Sequence, residues 1–279
     1  MQWLAAVEQL RSRREPGVLV TLAAVRGHSP RAAGAKMVVG RYGTWGSIGG
    51  GNLEATALDQ ARELLAHPAA GPSMFVAHLS DKAPVTHGVQ CCGGEVTVLL
   101  EPLAVRPSVA IFGMGHVGLE IARILARHDL DLHLVDSRPE QLTGQALRAL
   151  DDADARVHRH HTPVLPELVL AELPAGTHVL VMTHDHHEDA ALCDAALRTE
   201  HLGLIGLIGS RAKWTRFRKK LADAGHDPSA IARITTPIGL PALHGKDPAT
   251  IAVGVAATLL QTFEREAADA HPYPVGNFR

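Results

Sequence analysis

VAIFGMGHVGLEIARILARHDLDLHLVD, residues 109–136, decides the fold. Residues 109–113 form a short, unbroken apolar run and read as a buried strand. G-M-G-H-V-G follows, with glycines at Gly113, Gly115 and Gly118. The first allows a tight turn, the second lets a phosphate approach the backbone, and the third lets helix and strand pack closely. His116 opens a helix to about His128, whose N-terminus offers N–H groups and a positive dipole end. Leu132 to Asp136 is the next strand, and Asp136 ends it where a ribose hydroxyl would be gripped. This is a Rossmann-like start. Its turn is expected to hold a nucleotide, or else another anion or nothing.

The same alternation continues outward towards the C-terminus. A weaker strand is read at residues 156–160. HVLVMT, 178–183, is a buried strand with a helix behind it to about Thr199. LGLIGLIG, 202–209, is another strand, followed by a basic helix through Leu221. Pro248 opens a long helix capped by Asp247. Strand–helix repetition of this kind predicts a doubly wound parallel sheet covered on both faces. Ligands of such sheets bind at the carboxyl ends of the strands. That edge gathers His184 and Asp185 after one strand and Ser210 and Arg211 after the next. Arg211 and Lys213 stand in the first turn of their helix, where the dipole does not favour cations, and so suggest an anion. The run His184-Asp185-His186-His187-Glu188-Asp189 is like the H-x-H-x-D-H motif of metal-dependent hydrolases. Glu188 and Asp189 break that pattern. The run reads either as a polar helix start or, better, as placing His184 and Asp185 in the ligand cleft, with His187 and Glu188 mostly at the surface.

The chain is expected to divide into an N-terminal mixed α/β domain over 1–104, the Rossmann-like domain with its C-terminal helix over 105–266, and a flexible tail over 267–279. The seam falls in EPLAVRPS, residues 101–108, which two prolines interrupt. In the first half Trp3, Leu4, Val7 and Leu10 mark one face of a short helix. Strands are read at 18–25, 35–39, 75–78 and 95–100, and a helix at 52–65. Three glycine-rich loops lie between them: GHSPRAAG (27–34), GSIGGGNLE (46–54) and QCCGGE (90–95). Gly49, Gly50 and Gly51 precede a helix and make either an anion nest or a flexible lead-in. Cys91 and Cys92, beside Gly93 and Gly94, are either buried or form a soft ligand for a metal or a sulfur carrier. Cys193 lies among Ala190, Leu192 and Leu197 and reads as core.

Composition sets the bounds. The chain has 279 residues, enough for about two domains. Lys plus Arg number 27 and Asp plus Glu 29, a formal charge of −2, unlike the basic footprint of a nucleic-acid binder. The longest apolar run, residues 251–260, is half of the ~20 residues that span a membrane. The first 14 residues, with Glu8 and a basic cluster, do not form a secretory signal. Three cysteines make no disulfide framework, so a cytoplasmic location is expected.

The motifs, in order, resemble those of the XdhC/CoxI family, accessory proteins of xanthine dehydrogenase and related molybdenum hydroxylases. They are GHSPRAAGAKM (27–37), GSIGGGNLE (46–54), CCGGEVTVLLEPL (91–103), FGMGHVG (112–118), VMTHDH (181–186), GLIGSRAK (206–213), TTPIGL (235–240) and GKDPATIAVGVAATLL (245–260). The likeness covers nearly the whole chain. PALHGKDPA, 241–249, is most similar to the xanthine dehydrogenase branch. The resemblance implies a chaperone rather than an enzyme. Such a protein binds the molybdenum cofactor, a molybdopterin bearing a phosphate. It shields the cofactor, supports its sulfuration with a cysteine desulfurase, and delivers it to the apo xanthine dehydrogenase. The tail and the helix at 248–265 are candidate surfaces for these partners, and the helix could equally serve a homodimer. The family's C-G-G element falls on Cys92, Gly93 and Gly94, which makes Cys92 the candidate molybdenum contact. A nicotinamide-dependent oxidoreductase using the Rossmann turn and His184 is the competing expectation.

Overall fold

The structure, a computed structural model, describes residues 2–67, 71–79 and 94–269. The described residues fold as two compact units, one of those up to Val105 with those of 264–269, the other Arg106–Phe263.

The first unit is built on an antiparallel sheet of β1 (Gly17–Arg26), β2 (Lys36–Gly40), β3 (Gly43–Gly46), β4 (Ser73–His78) and β5 (Glu95–Leu103), in the order β3-β2-β1-β5-β4. Period-2 burial shows in β5, where Val96, Val98 and Leu100 are buried between half-buried neighbours. One face packs on α2 (Gly51–Ala66) through Leu53, Ala57, Ala61 and Leu64. A smaller cluster joins α1 (Gln2–Arg13) to the sheet through Ala6, Leu10 and Val38, with Trp3, Val7 and Trp45 against it. Leu4 is not on that face; it is exposed. The third strand, GTWG, escaped the sequence reading because four residues with two glycines carry no period.

The second unit is a six-stranded sheet in the order β11-β10-β9-β6-β7-β8, with every pair parallel. Its strands are β6 (Ser108–Phe112), β7 (Asp131–Asp136), β8 (Arg156–His161), β9 (His178–Val181), β10 (Ile205–Leu207) and β11 (Ile234–Thr235). The helices are α3 (His116–Leu125), α4 (Leu168–Glu172), α5 (His186–Arg198), α6 (Arg211–Asp223), α7 (Pro228–Ile231) and α8 (Pro248–Asp269), the last belonging to this unit as far as Phe263. Alternate residues of each strand feed two cores. Val109 and Ile111 meet α3 and α8 through Ile121, Leu125, Val255 and Leu259. Ala110 and Phe112 share the other core with Leu192, Cys193, Phe217 and Leu221 of α5 and α6. Helices on both faces explain why β6 and β9 are buried at every position. This is the doubly wound α/β architecture read from the glycine turn. β10 is three residues long, shorter than its eight-residue apolar run, whose ends lie outside the strand.

Candidate functional site

In the second unit, the strand order reverses between β6 and β9, and a cleft opens there at the carboxyl edge of the sheet. Its volume is about 410 Å³, and Gly115, His116, Gly118, Arg138, His184 and Pro248 are among the residues that line it. The three glycines do three jobs. Gly113 has φ +106°, and a Cβ there would stand 2.3 Å from the Met182 carbonyl oxygen. A Cβ on Gly118 would lie 2.1 Å from the Gly113 carbonyl oxygen, so the third glycine is what lets α3 close on the turn. A Cβ on Gly115 would meet nothing within 4 Å, so the second glycine faces open space. Gly115 is also the N-cap of α3 and offers it no side-chain acceptor. The helix therefore presents uncapped N–H groups and its positive dipole end at the cleft.

Asp136 stands where the sequence placed it, but its carboxylate is already in use. Oδ2 accepts from the Met114 N–H (2.6 Å) and an Arg138 terminal N–H (2.9 Å). Oδ1 accepts from the Arg138 backbone N–H and Nε–H, both at 2.9 Å. Burial alone would push the Asp136 carboxyl up; the bonds from Arg138 and Met114 outweigh it and hold the group below the usual carboxylate range. The expected grip on a ribose thus meets a carboxylate bonded within the protein.

Two of the residues read as cleft-lining serve as helix caps. Asp185 accepts from the His187 N–H (2.6 Å), and this bond lowers its carboxyl pKa. Ser210 accepts from the Lys213 N–H (3.2 Å). His184 does line the cleft. Arg211 is exposed at the start of α6. Lys213, read as an anion-seeking cation, is instead turned inward and buried. Its Nζ donates to Asp189 Oδ2 (2.5 Å) and to the Ile208 carbonyl (2.8 Å). Asp189, fully buried, also accepts from the Thr183 N–H and hydroxyl, each at 2.9 Å. The sequence reading missed this pair. The burial of Asp189 had a signal, since Asp189, Leu192, Cys193 and Ala196 follow helical spacing and are all buried; its partner had none. Glu188 is half-buried rather than at the surface, and burial raises its carboxyl pKa against the opposing pull of His184. Among the described residues, no group of three or more His, Cys, Asp and Glu side chains could hold a metal ion.

In the first unit, parts of the three glycine-rich loops converge. The Gly34 N–H donates to the Leu22 carbonyl (2.8 Å) and the Leu22 N–H to the Ala35 carbonyl (2.9 Å), closing the base of the loop that holds residues 27–34. Gly49 packs on Pro30, 3.2 Å from a built Cβ. Gly94 faces the same loop, where a Cβ would stand 2.1 Å from the His28 carbonyl oxygen. The nest at Gly49, Gly50 and Gly51 exists, with positive φ at all three. Of its three N–H groups, that of Gly50 meets a carboxylate of the chain and that of Gly49 donates to the Ser47 hydroxyl (3.1 Å). Glu54 Oε2 accepts from the Ser47 hydroxyl (2.6 Å), the Ile48 N–H (3.2 Å) and the Gly50 N–H (3.1 Å). The expectation of an external anion at the nest therefore meets an internal carboxylate. Cys91, Cys92 and Gly93 lie outside the described residues. Cys193 is buried as expected, and burial pushes its thiol up to about 12.

A mixed antiparallel unit joined to a Rossmann unit, with a glycine turn at the switch point, defines the class of protein. A family model described as the XdhC Rossmann domain matches residues 109–259, and one described as the XdhC and CoxI family matches residues 10–75. The chain belongs to the XdhC/CoxI family. It is 24% identical over 253 residues to the uncharacterized protein YqeB of Escherichia coli (strain K12), covering 91% of this chain and 44% of that one. It is 27% identical over 277 residues to the Molybdenum cofactor insertion chaperone PaoD of the same strain, covering 90% and 85%. It is 26% identical over 172 residues to a probable xanthine dehydrogenase subunit of Bacillus subtilis (strain 168), covering 61% and 47%. The chain thus spans less than half the length of two of these relatives. A crystal structure described as a xanthine dehydrogenase from Bacillus halodurans aligns with a TM-score of 0.47 at 19% identity, covering 95% of this chain and 96% of that one.

Proposed function

We propose that this chain is a non-enzymatic maturation factor for a xanthine dehydrogenase-type molybdenum hydroxylase. It binds the molybdenum cofactor, protects it, supports its sulfuration with a cysteine desulfurase, and delivers it to the apoenzyme in the cytoplasm. The observation that carries this reading is the match to PaoD, which runs along 90% of this chain and 85% of that relative. The geometry supports it. Molybdopterin is an anion with a phosphate at one end and a soft, oxidisable dithiolene at the other. The cleft at the glycine turn offers the phosphate an uncapped helix N-terminus beside His116 and His184. The sequence just before Gly94 carries Cys92, the candidate soft contact for molybdenum. Cys91 is its neighbour for relaying sulfur. Helix α8, with Val253 exposed at 52%, offers a face for a homodimer or for a client.

The test is transfer. The cofactor-loaded chain is mixed with apo molybdenum hydroxylase in the presence of a scavenger for free pterin, and recovery of hydroxylase activity is followed. Recovery faster than with the same amount of free cofactor is expected. Recovery no better than with free cofactor overturns the delivery role.

A further inference from the structure

A dinucleotide-binding Rossmann turn needs the acid at the end of its second strand to accept from the ribose hydroxyls. A carboxylate has about four lone-pair sites. In this chain four N–H donors fill them: one from Met114 in the glycine turn and three from Arg138. The Asp136 side chain is 2% exposed, while that of Arg138 is 29% exposed and lines the cleft. Arg138 thus covers the solvent edge of the acid that a ribose would have to reach. Its hold is more than one contact. The Nε and a terminal nitrogen bind the two oxygens as a fork, and the backbone N–H two residues on locks the carboxylate's orientation. The charge of the guanidinium is spent on Asp136, so it is not free to meet a 2′-phosphate while the fork holds.

We propose that Arg138 is a specificity-determining residue that closes the ribose subsite. The cleft then rejects nicotinamide dinucleotides, and the ligand that remains is an anion recognised without a ribose. The closure rests on the Asp136–Arg138 geometry alone; the nature of the remaining ligand rests on the carrier reading above. In that reading the cargo's phosphate meets the turn and no ribose diol is required.

The experiment titrates the full chain with NADH and NADPH, following nicotinamide fluorescence, for the wild type, Arg138→Leu and Arg138→Lys. The expected result is no saturable binding of either dinucleotide by the wild type, and NADH binding about tenfold or more tighter in Arg138→Leu. Micromolar binding of NADH or NADPH by the wild type overturns the proposal. A folded Arg138→Leu that gains no NADH affinity also overturns it. If Arg138→Leu does not fold, Arg138→Lys decides: a lysine cannot form the fork, so it must gain NADH affinity or the proposal fails. Molybdenum-cofactor retention is measured on the same wild-type preparation. Retention together with tight dinucleotide binding sinks the closure and leaves the carrier. Neither retention nor dinucleotide binding sinks the carrier and leaves the closure.

Discussion

Gly113, Gly115 and Gly118 are the same residue in the motif and different positions in space. An alanine at 113 needs a left-handed backbone and strikes the Met182 carbonyl; at 118 it strikes the Gly113 carbonyl. Gly113→Ala and Gly118→Ala are each expected to lower unfolding free energy by about 2–4 kcal/mol. Gly115→Ala, with open space around it, is expected to cost less than about 1 kcal/mol and to act on ligand binding instead. Urea denaturation midpoints of the three variants check this. Cys193 gives a second prediction at this scale. With its thiol pushed up to about 12 inside the α5 core, it carries almost no thiolate at neutral pH. Iodoacetamide at pH 7, read by peptide mass, should label Cys193 only after denaturation; rapid labelling of the native chain would contradict its burial. Glu54 belongs here too. Its carboxylate takes the Gly50 N–H of the nest that the sequence suggested for a foreign anion, and no count of glycines could reveal that an acid a few residues on would reach it.

Elements are held at the sheet edge by the Asp189–Lys213 pair, which ties α5 and α6 to the ends of β9 and β10. Breaking it by Asp189→Leu or Lys213→Met leaves a buried charge alone, at an expected cost of about 3–5 kcal/mol. The double variant should lose less than either single, as thermal melts of the three would show. At the other edge, His133 of β7 stacks on His158 of β8, ring centroids 4.5 Å apart, and its Nδ1 lies 3.1 Å from His160 Nε2. His158 Nε2 lies 3.2 Å from Asp131 Oδ1, and Glu172 of α4 adds a weaker field that favours the charged form of His160. Burial, followed by His158, lowers the pKa of His160 below 6.5. The unfolded chain therefore binds this proton before the native chain does. The stability from neutral His160 is complete above pH ~6.5 and is lost as pH falls below it. Melting temperature should drop on acidification from pH 7 to 5, and less steeply in His160→Asn. The long, apolar or amphipathic elements were legible in the sequence: β6, α3, β7, β9 and α5 arise from patterns that a reader can count. β3 and β11 were not, being four and two residues long. Nor was the Lys213 partner, because an ion pair across 24 residues leaves no periodic trace.

At the scale of the whole molecule, the order of motifs along the chain was the most informative signal, because it implied a family that the family models then matched over both units. The Rossmann topology followed from one glycine turn and its flanking strands. The occupancy of the turn did not follow, because the three bonds from Arg138 to Asp136 are made by a residue the dinucleotide fingerprint leaves unspecified. No helix among the described residues is long and apolar enough to cross a membrane. The central claim is that the chain carries the molybdenum cofactor, and one measurement tests it most directly. The purified chain is mixed anaerobically with released cofactor and desalted, and bound molybdenum and pterin are quantified for the wild type and for Cys92→Ala. The account predicts near-stoichiometric retention of both by the wild type and loss of molybdenum from Cys92→Ala. A wild-type chain that emerges with neither molybdenum nor pterin would contradict it.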